Sequence, residues 1–314
     1  MTGALLQAPG LREPRWADLS DRGFVVVHGL LTAAQVEGLR AAYASSERVD
    51  VAAYVATEPR LSDIRGIIAR VEALLPSIRE ATGMATDLVV PQGTFFATER
   101  MNLDWHTDQK SDYLFQGHRH HLTFWMPVEK PDPARSGLSV IPIDRLREHA
   151  PEAFRALSGR GSARYANGEL DYEDGDRERR VSCPGDLASF AESPRLLPGD
   201  ALVVRSDLLH RTSDVETVRV ALSLRALNGE HRLTVARLLS ASSRKRARIR
   251  DEPNAFAEAL AAFLLCRRTT ITVREFLRVR ARLAQKERLP RVAFAAARLA
   301  LPLALAAGAL RRRA

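Results

Sequence analysis

HHLTFWMPV (120–128), DALVV (200–204) and VRVALSL (218–224) decide the fold, because each is a short apolar run next to a turn signal. Similar runs fill residues 86–228; the others are DLVV (87–90), GTFFAT (93–98), GLSVIPI (137–143) and DLASF (186–190). Many short strands separated by turns are typical of an all-β barrel or jelly roll. We therefore predict a mainly β fold with flanking helices, built on a double-stranded β-helix (jelly roll, cupin-like) core.

Helices are predicted on either side of this β region. Gly23–Val27 has the composition of a strand, Thr32 is placed to cap a helix that runs to about residue 45, and a second helix starts near Ser62. The segment 144–181 interrupts the β region with polar residues and shows no regular β pattern. An insertion of this length is usually functional or disordered, and we predict that it recognises the substrate.

The charge of the chain is concentrated in its C-terminal part. Residues 231–314 hold 20 Lys+Arg against 5 Asp+Glu, whereas the whole chain has a net charge of +9. The pattern there is helical, over about 254–266, 272–287 and 291–312. Such a basic extension is compatible with packing on the domain, with a solvated surface, or with a membrane surface. Nucleic-acid binding ranks below these, because no aromatic platform or groove-reading motif accompanies the charge.

Three residues in the β region could bind a metal. His106 and Asp108 stand two apart, which places both side chains on one face of a strand. His210 follows the apolar strand DALVV, and in a jelly roll distant strands lie side by side. Two imidazoles and one carboxylate on one face of an octahedral iron(II) are the mark of non-haem iron oxygenases. Each residue alone is ordinary, since chance readily supplies such a pair.

Arg219 opens a strand on which Ser223 and Arg225 share its face. A guanidinium that points into an apolar barrel requires an anion, because a buried unpaired charge is costly. A dicarboxylate cosubstrate would satisfy it by bidentate pairing, with Ser223 as a second donor. An internal salt bridge to a glutamate or aspartate is the equal alternative.

Together these segments resemble the phytanoyl-CoA dioxygenase family of iron(II)/2-oxoglutarate oxygenases over roughly residues 20–230. The resemblance rests on five ordered segments: GFVVVHGLLTAAQVEGLR (23–40), WHTD (105–108), SGLSVIPID (136–144), LLPGDALVVRSDLLHRTS (196–213) and RVALSLR (219–225). One departure is that no Ser-His follows the proline of SGLSVIPID, where the family often has Gly-Ser-His.

The resemblance implies a site. His106, Asp108 and His210 would be the Fe(2+) ligands, and Arg219 would bind the C5 carboxylate of 2-oxoglutarate. Trp125 looks like a family tryptophan beside the cosubstrate, although aromatic residues on that strand are also ordinary core. The implied reaction uses O2 and yields succinate and CO2, and no catalytic side chain beyond the metal ligands is implied. Because Asp108 is retained, a halogenase is disfavoured.

The sequence thus predicts an iron(II)- and 2-oxoglutarate-dependent hydroxylase acting on a small or lipid-like molecule. Residues 1–230 would form the dioxygenase-like domain with its 144–181 insertion, and residues 231–314 the basic helical extension. The alternative is a non-enzymatic or metal-only jelly roll that has lost cosubstrate use, for which Arg219 would be unnecessary. Two cysteines far apart, Cys183 and Cys266, favour a reducing compartment. We expect a cytoplasmic protein, with peripheral association at the inner membrane surface as a hypothesis for the extension.

Overall fold

The computed structural model describes residues 14–310 apart from 47, 52–53, 98–103, 118, 136, 159–160, 175–176, 184, 214–215 and 241. The strands are β1 (Phe24–Val27), β2 (Arg48–Val51), β3 (Tyr54–Thr57), β4 (Leu88–Ala97), β5 (Leu122–Glu129), β6 (Leu138–Val140), β7 (Ala163–Ala166), β8 (Glu169–Asp174), β9 (Arg177–Ser182), β10 (Ala201–Arg205), β11 (His210–Thr212), β12 (Val220–Leu227), β13 (Arg232–Thr234) and β14 (Thr270–Thr272). The helices are α1 (Asp18–Asp21), α2 (Ala33–Ser45), α3 (Leu61–Thr82), α4 (Gln109–Tyr113), α5 (Ile143–His149), α6 (Pro151–Leu157), α7 (Val235–Leu239), α8 (Ser243–Asp251), α9 (Pro253–Cys266), α10 (Val273–Ala284) and α11 (Arg288–Leu310), and a 3-10 helix covers Leu187–Phe190.

A seven-stranded antiparallel sheet, in the order β1-β10-β5-β12-β4-β3-β2, forms the larger layer. Alternation along β12 sends Leu222 and Leu224 to its outer face, where they share a hydrophobic cluster with α2 and α3. The capping box of Thr32 starts α2 as the sequence predicts, and the predicted second helix is confirmed as α3. The two helices therefore cover the outer face and leave the inner face for a site.

The inner face of this sheet packs against the two-stranded sheet of β6 and β11. Leu138 and Val140 of β6 lie in one cluster with Trp125 and Leu202 of the larger sheet. The predicted combination of β-sheets with flanking helices is confirmed. The described strands form facing layers, and no closed barrel is seen among them.

The prediction that residues 144–181 lack regular β structure is wrong. They form α5, α6 and the three-stranded sheet β7-β8-β9. Asn167 and Gly168 join β7 to β8 with φ of 53° and 78°, which is the backbone of a tight hairpin turn. Tyr165 and Leu170 bury one face of the hairpin, and Arg164, Glu169 and Asp171 lie on the other. The many polar residues masked the strand pattern in the sequence, because few of the side chains in this segment enter the core.

The C-terminal extension shares its hydrophobic cluster with the β domain. The three predicted helices are confirmed as α9, α10 and α11, and one hydrophobic cluster joins them to Val90, Phe115 and Leu227 of the β domain. Phe276 and Val279 of α10 are buried in that cluster. Over the described part of the chain, no helix combines the length and apolarity needed to cross a membrane.

Candidate metal and cosubstrate site

His106 lies on a short extended segment, Trp105–Thr107, that is hydrogen-bonded to β11 on one side. The His106 amide donates to the His210 carbonyl and the His210 amide donates to the His106 carbonyl, each at 3.0 Å. Residues that exchange both bonds in an antiparallel pair carry their side chains on the same face. The backbone therefore brings the two histidines, 104 positions apart in the sequence, to one point.

The other side of the same segment is paired with β7 of the insertion. The Tyr165 amide donates to the Trp105 carbonyl at 3.0 Å, and the Thr107 amide donates to the Ala163 carbonyl at 3.1 Å. The Thr107 hydroxyl also accepts from the Ala163 amide at 2.8 Å. His106 is thus opposite His210 on one side and opposite Arg164 on the other.

The two imidazoles are oriented by backbone carbonyls. Their ring centroids are 4.5 Å apart, and each Nδ1 contacts a carbonyl oxygen, that of Asp104 at 2.6 Å for His106 and that of Leu208 at 2.9 Å for His210. A carbonyl only accepts, so each Nδ1 carries the proton and each Nε2 keeps its lone pair. This is the arrangement in which metal-binding histidines are usually held.

The surroundings keep both rings neutral. Burial, followed by the proximity of His210, lowers the pKa of His106 to about 3. Burial also lowers the pKa of His210, while the carboxylate of Asp108 acts in the opposite direction on both rings. A neutral imidazole is the form that binds a metal ion.

The backbone of Asp108 is fixed next to the two histidines, but its carboxylate points to the guanidinium of Arg225. Its amide donates to the Ser206 carbonyl at 3.0 Å. The carboxylate accepts from Arg225, from Nε at 2.9 Å and from Nη2 at 3.3 Å, and from the Thr123 hydroxyl at 3.3 Å. Among the described residues, no three histidine, cysteine, aspartate or glutamate side chains form a group close enough to hold a metal ion.

The predicted cosubstrate residues share the inner face of the larger sheet. Ser223 and Trp125 are directly opposite on β12 and β5. The guanidinium carbon of Arg219 lies 5.2 Å from the centroid of the Trp125 ring, and its Nη1 is 3.5 Å from the Gly137 carbonyl. Arg219 is only 1% exposed. The structure therefore places all three side chains together, with a buried cation among them.

A second buried cation, Lys130, accompanies Arg219. Lys130 is also nearly inaccessible, and its Nζ donates to the Pro133 carbonyl. Burial, and then repulsion from Arg219, lowers the pKa of Lys130. Asp132 and Asp200 act in the opposite direction on the pKa of Lys130, so charges of both signs surround the two cations.

Sequence reasoning missed several contributors to this site. Arg225 was predicted to share a face with Arg219, yet it holds Asp108. Lys130 and Thr107 were not singled out, and Arg164 was not placed beside His106, although the Asn167-Gly168 dipeptide is a strong hairpin signal that would have placed β7 and β8. The dipeptide does not reveal which segment the hairpin pairs with, because its pairing with the segment of His106 is a long-range contact.

No protein-family model and no curated protein matches the chain. Some solved structures are similar at low identity. The non-heme alpha ketoglutarate dependent carbocyclase SnoK from nogalamycin biosynthesis is 13% identical, over 69% of this chain and 83% of its own, with a TM-score of 0.46. EctD from S. alaskensis, with 2-oxoglutarate and 5-hydroxyectoine, is 15% identical over 74% and 80%, with a TM-score of 0.45. EvdO2 from Micromonospora carbonacea var. aurantiaca is 15% identical over 68% and 89%, with a TM-score of 0.45. Such distant likenesses carry no argument about function, which rests on the residues of this chain.

Proposed function

We propose that this protein is an iron(II)- and 2-oxoglutarate-dependent dioxygenase that hydroxylates an unactivated C–H bond. The observation that carries the proposal is the pairing of His106 with His210, with both Nδ1 atoms tied to carbonyls and both Nε2 lone pairs available. A buried arginine on the inner face of the adjoining sheet supports the cosubstrate assignment. We further propose a double-stranded β-helix core of the phytanoyl-CoA dioxygenase type.

The donor set fits iron(II). His106, His210 and Asp108 would hold the ion, since imidazole and carboxylate are the ligands of such sites. Binding requires one carboxylate oxygen of Asp108 to turn toward the imidazoles, while Arg225 retains the other. When bound, iron and 2-oxoglutarate supply O2-dependent oxidation of the substrate, and 2-oxoglutarate leaves as succinate and CO2.

Arg219 would bind the distal carboxylate of 2-oxoglutarate. Its planar guanidinium matches a carboxylate in two parallel hydrogen bonds, and the shielded position strengthens them. Ser223, opposite Trp125, would donate a further hydrogen bond, and the Trp125 ring would form an apolar wall. Lys130 adds positive potential from the same region.

The proposal is tested by adding iron(II) and 2-oxoglutarate to the protein without oxygen. A chelate should give a weak visible charge-transfer band, and oxygen should then release succinate. Metal binding without the band, in folded protein, would instead support the metal-only alternative. Arg219→Ala serves as the matched variant, because it should bind iron and lose the band at a 2-oxoglutarate concentration that saturates the wild type.

The substrate is proposed to be a small or lipid-like molecule, and the extension to associate with a membrane surface. Support for the second proposal comes from α11, where Leu289, Val292 and Leu299 are 62%, 59% and 78% exposed, with Arg288 and Arg291 on the same helix. Exposed apolar residues beside basic ones are what a peripheral helix presents to anionic lipid. Flotation with anionic liposomes should be reduced by Val292→Asp with Leu299→Asp, and unchanged flotation would refute it.

A further inference from the structure

Arg164 of the insertion occupies a position next to the candidate metal ligands. His106 and Arg164 face each other across an antiparallel pair whose flanking bonds run from Thr107 to Ala163 and from Tyr165 to Trp105. This pattern makes the two a narrow pair, with Cα atoms roughly 4.5 Å apart and side chains on the same face. The side chain of Arg164 therefore projects from the strand next to His106, on the same face of the sheet as the His106 side chain.

The register continues this face across the insertion. One row of directly opposite residues crosses the small sheet, formed by Val140, His210, His106, Arg164, Asp171 and Arg180. Val140 packs in the inner cluster, which shows that the row faces the larger sheet. The face of the insertion hairpin that carries Arg164 and Asp171 thus continues the sheet face that carries His106 and His210.

Asp171, which is opposite Arg164 in the strand register, already forms ion pairs with other arginines. Asp171 pairs with Arg180 at 2.7 Å and with Arg244 of α8 at 3.3 Å. Arg164 itself is exposed and forms no ion pair within the described part of the chain. Two guanidinium groups therefore already neutralise Asp171, and Arg164, its partner in the strand register, is the arginine of the row next to His106.

We propose that Arg164 binds an anionic group, a carboxylate or a phosphate, of the substrate whose C–H bond is oxidised. This inference rests on the proposed function and names the chemical class of its substrate. An exposed guanidinium beside the reaction centre offers a planar pair of donors to an oxyanion. Arg219 immediately precedes β12 of the opposite, larger sheet and would bind the cosubstrate, so each arginine would bind one of the two anions.

The first test measures anion binding to the metal-free protein. Methylphosphonate is the probe, its neutral dimethyl ester is the chemical control, and binding is followed by phosphorus-31 line width. Arg164→Gln should weaken methylphosphonate binding about tenfold, the equivalent of one lost charge-assisted contact. Arg155→Gln, an exposed arginine on α6 of the same insertion, should bind as the wild type does. Equal binding by Arg164→Gln would overturn the proposal.

The second test locates the anion and separates it from the cosubstrate. In cobalt(II)-loaded protein with 2-oxoglutarate, the wild type should relax the phosphorus nucleus more strongly than zinc-loaded protein does, and Arg164→Gln should lose this effect. Competition between 2-oxoglutarate and methylphosphonate would assign Arg164 to the cosubstrate and overturn the inference. Failure to bind cobalt would instead refute the metal assignment, while the metal-free result would still stand for Arg164.

Discussion

Arg225 holds both carboxylate oxygens of Asp108, with Nε 2.9 Å from Oδ2 and Nη2 3.3 Å from Oδ1. The side chains are only 18% and 10% exposed, so solvent screens the pair weakly. Asp108 is also the carboxylate that we propose as a metal ligand. A metal ion and an arginine would therefore share one aspartate, and the arginine sets its orientation.

Arg225→Gln should weaken metal binding by about 10- to 100-fold, the range seen when a residue that orients a ligand is removed. The measurement is competition for cobalt(II) against a chelating dye. Arg155→Gln is the matched control, since it removes an exposed arginine of α6 whose ion-pair partner is Glu152. Tighter binding by Arg225→Gln would mean that the arginine competes with the metal rather than orienting its ligand.

His106→Ala, Asp108→Ala and His210→Ala should each weaken iron binding and abolish succinate release, because each removes one of three proposed donors. Circular dichroism should show that the folds survive. His149→Ala, which removes a surface histidine stacked on Phe190, is the control and should keep full activity. Turnover that persists in one of the three variants would remove that residue from the ligand set.

Arg219→Ala should keep iron but raise the 2-oxoglutarate concentration needed for half-maximal turnover. The loss of a shielded charge pair commonly costs about 2–5 kcal/mol, which is tens to thousands in affinity. Succinate release against 2-oxoglutarate concentration measures this. An unchanged requirement would move the anchor to Lys130 or Arg225.

A chain that ends at Gly229 should lose stability, because it uncovers Val90, Phe115 and Leu227, which share a cluster with the extension. Exposure of this apolar surface should lower the unfolding temperature and increase binding of a hydrophobic dye. Removing residues 311–314 alone is the control. A truncated chain with an unchanged unfolding temperature would show that the extension is an independent unit.

Glu173 gives a pH-dependent prediction. Burial is the main cause that raises the pKa of Glu173 above its ordinary value of 4.5, and the charge of Asp112 adds to it. Hydrogen bonds from Ser242 and Ser162 lower this pKa but do not offset the rise. The folded state then binds more protons than the unfolded state, so this group's contribution to stability falls as pH rises from 4.5 through the raised pKa. Urea unfolding across that window should show a smaller decrease for Glu173→Gln than for the wild type. Parallel curves would contradict the assignment.

The parts of the fold with a local cause were predictable from the sequence. Thr32 capped a helix where expected, and the strands of the larger sheet followed the short apolar runs. The prediction for the insertion was wrong because its polar composition masked the few buried strand residues, such as Tyr165 and Leu170.

In the candidate site, residue types were predictable and partnerships were not. That His106 and His210 would lie together was implied by the family resemblance of the two segments that hold them, and spacing alone was only compatible with it. The ion pair between Arg225 and Asp108 was not predictable, because either Arg219 or Arg225 could have reached the carboxylate. That choice is made by the packing of three strands, and no local pattern encodes it.

The segment of His106 has no free edge, since β11 occupies one side and β7 the other. A lid that swung away on the insertion would have to break the bonds of Thr107 and Trp105, and would release a candidate metal ligand with it. If the insertion recognises the substrate as proposed, substrate selectivity and metal affinity would therefore be coupled in this chain. Exchange of the insertion for one from another protein would have to preserve the first strand of its hairpin, or lose the metal along with the old substrate.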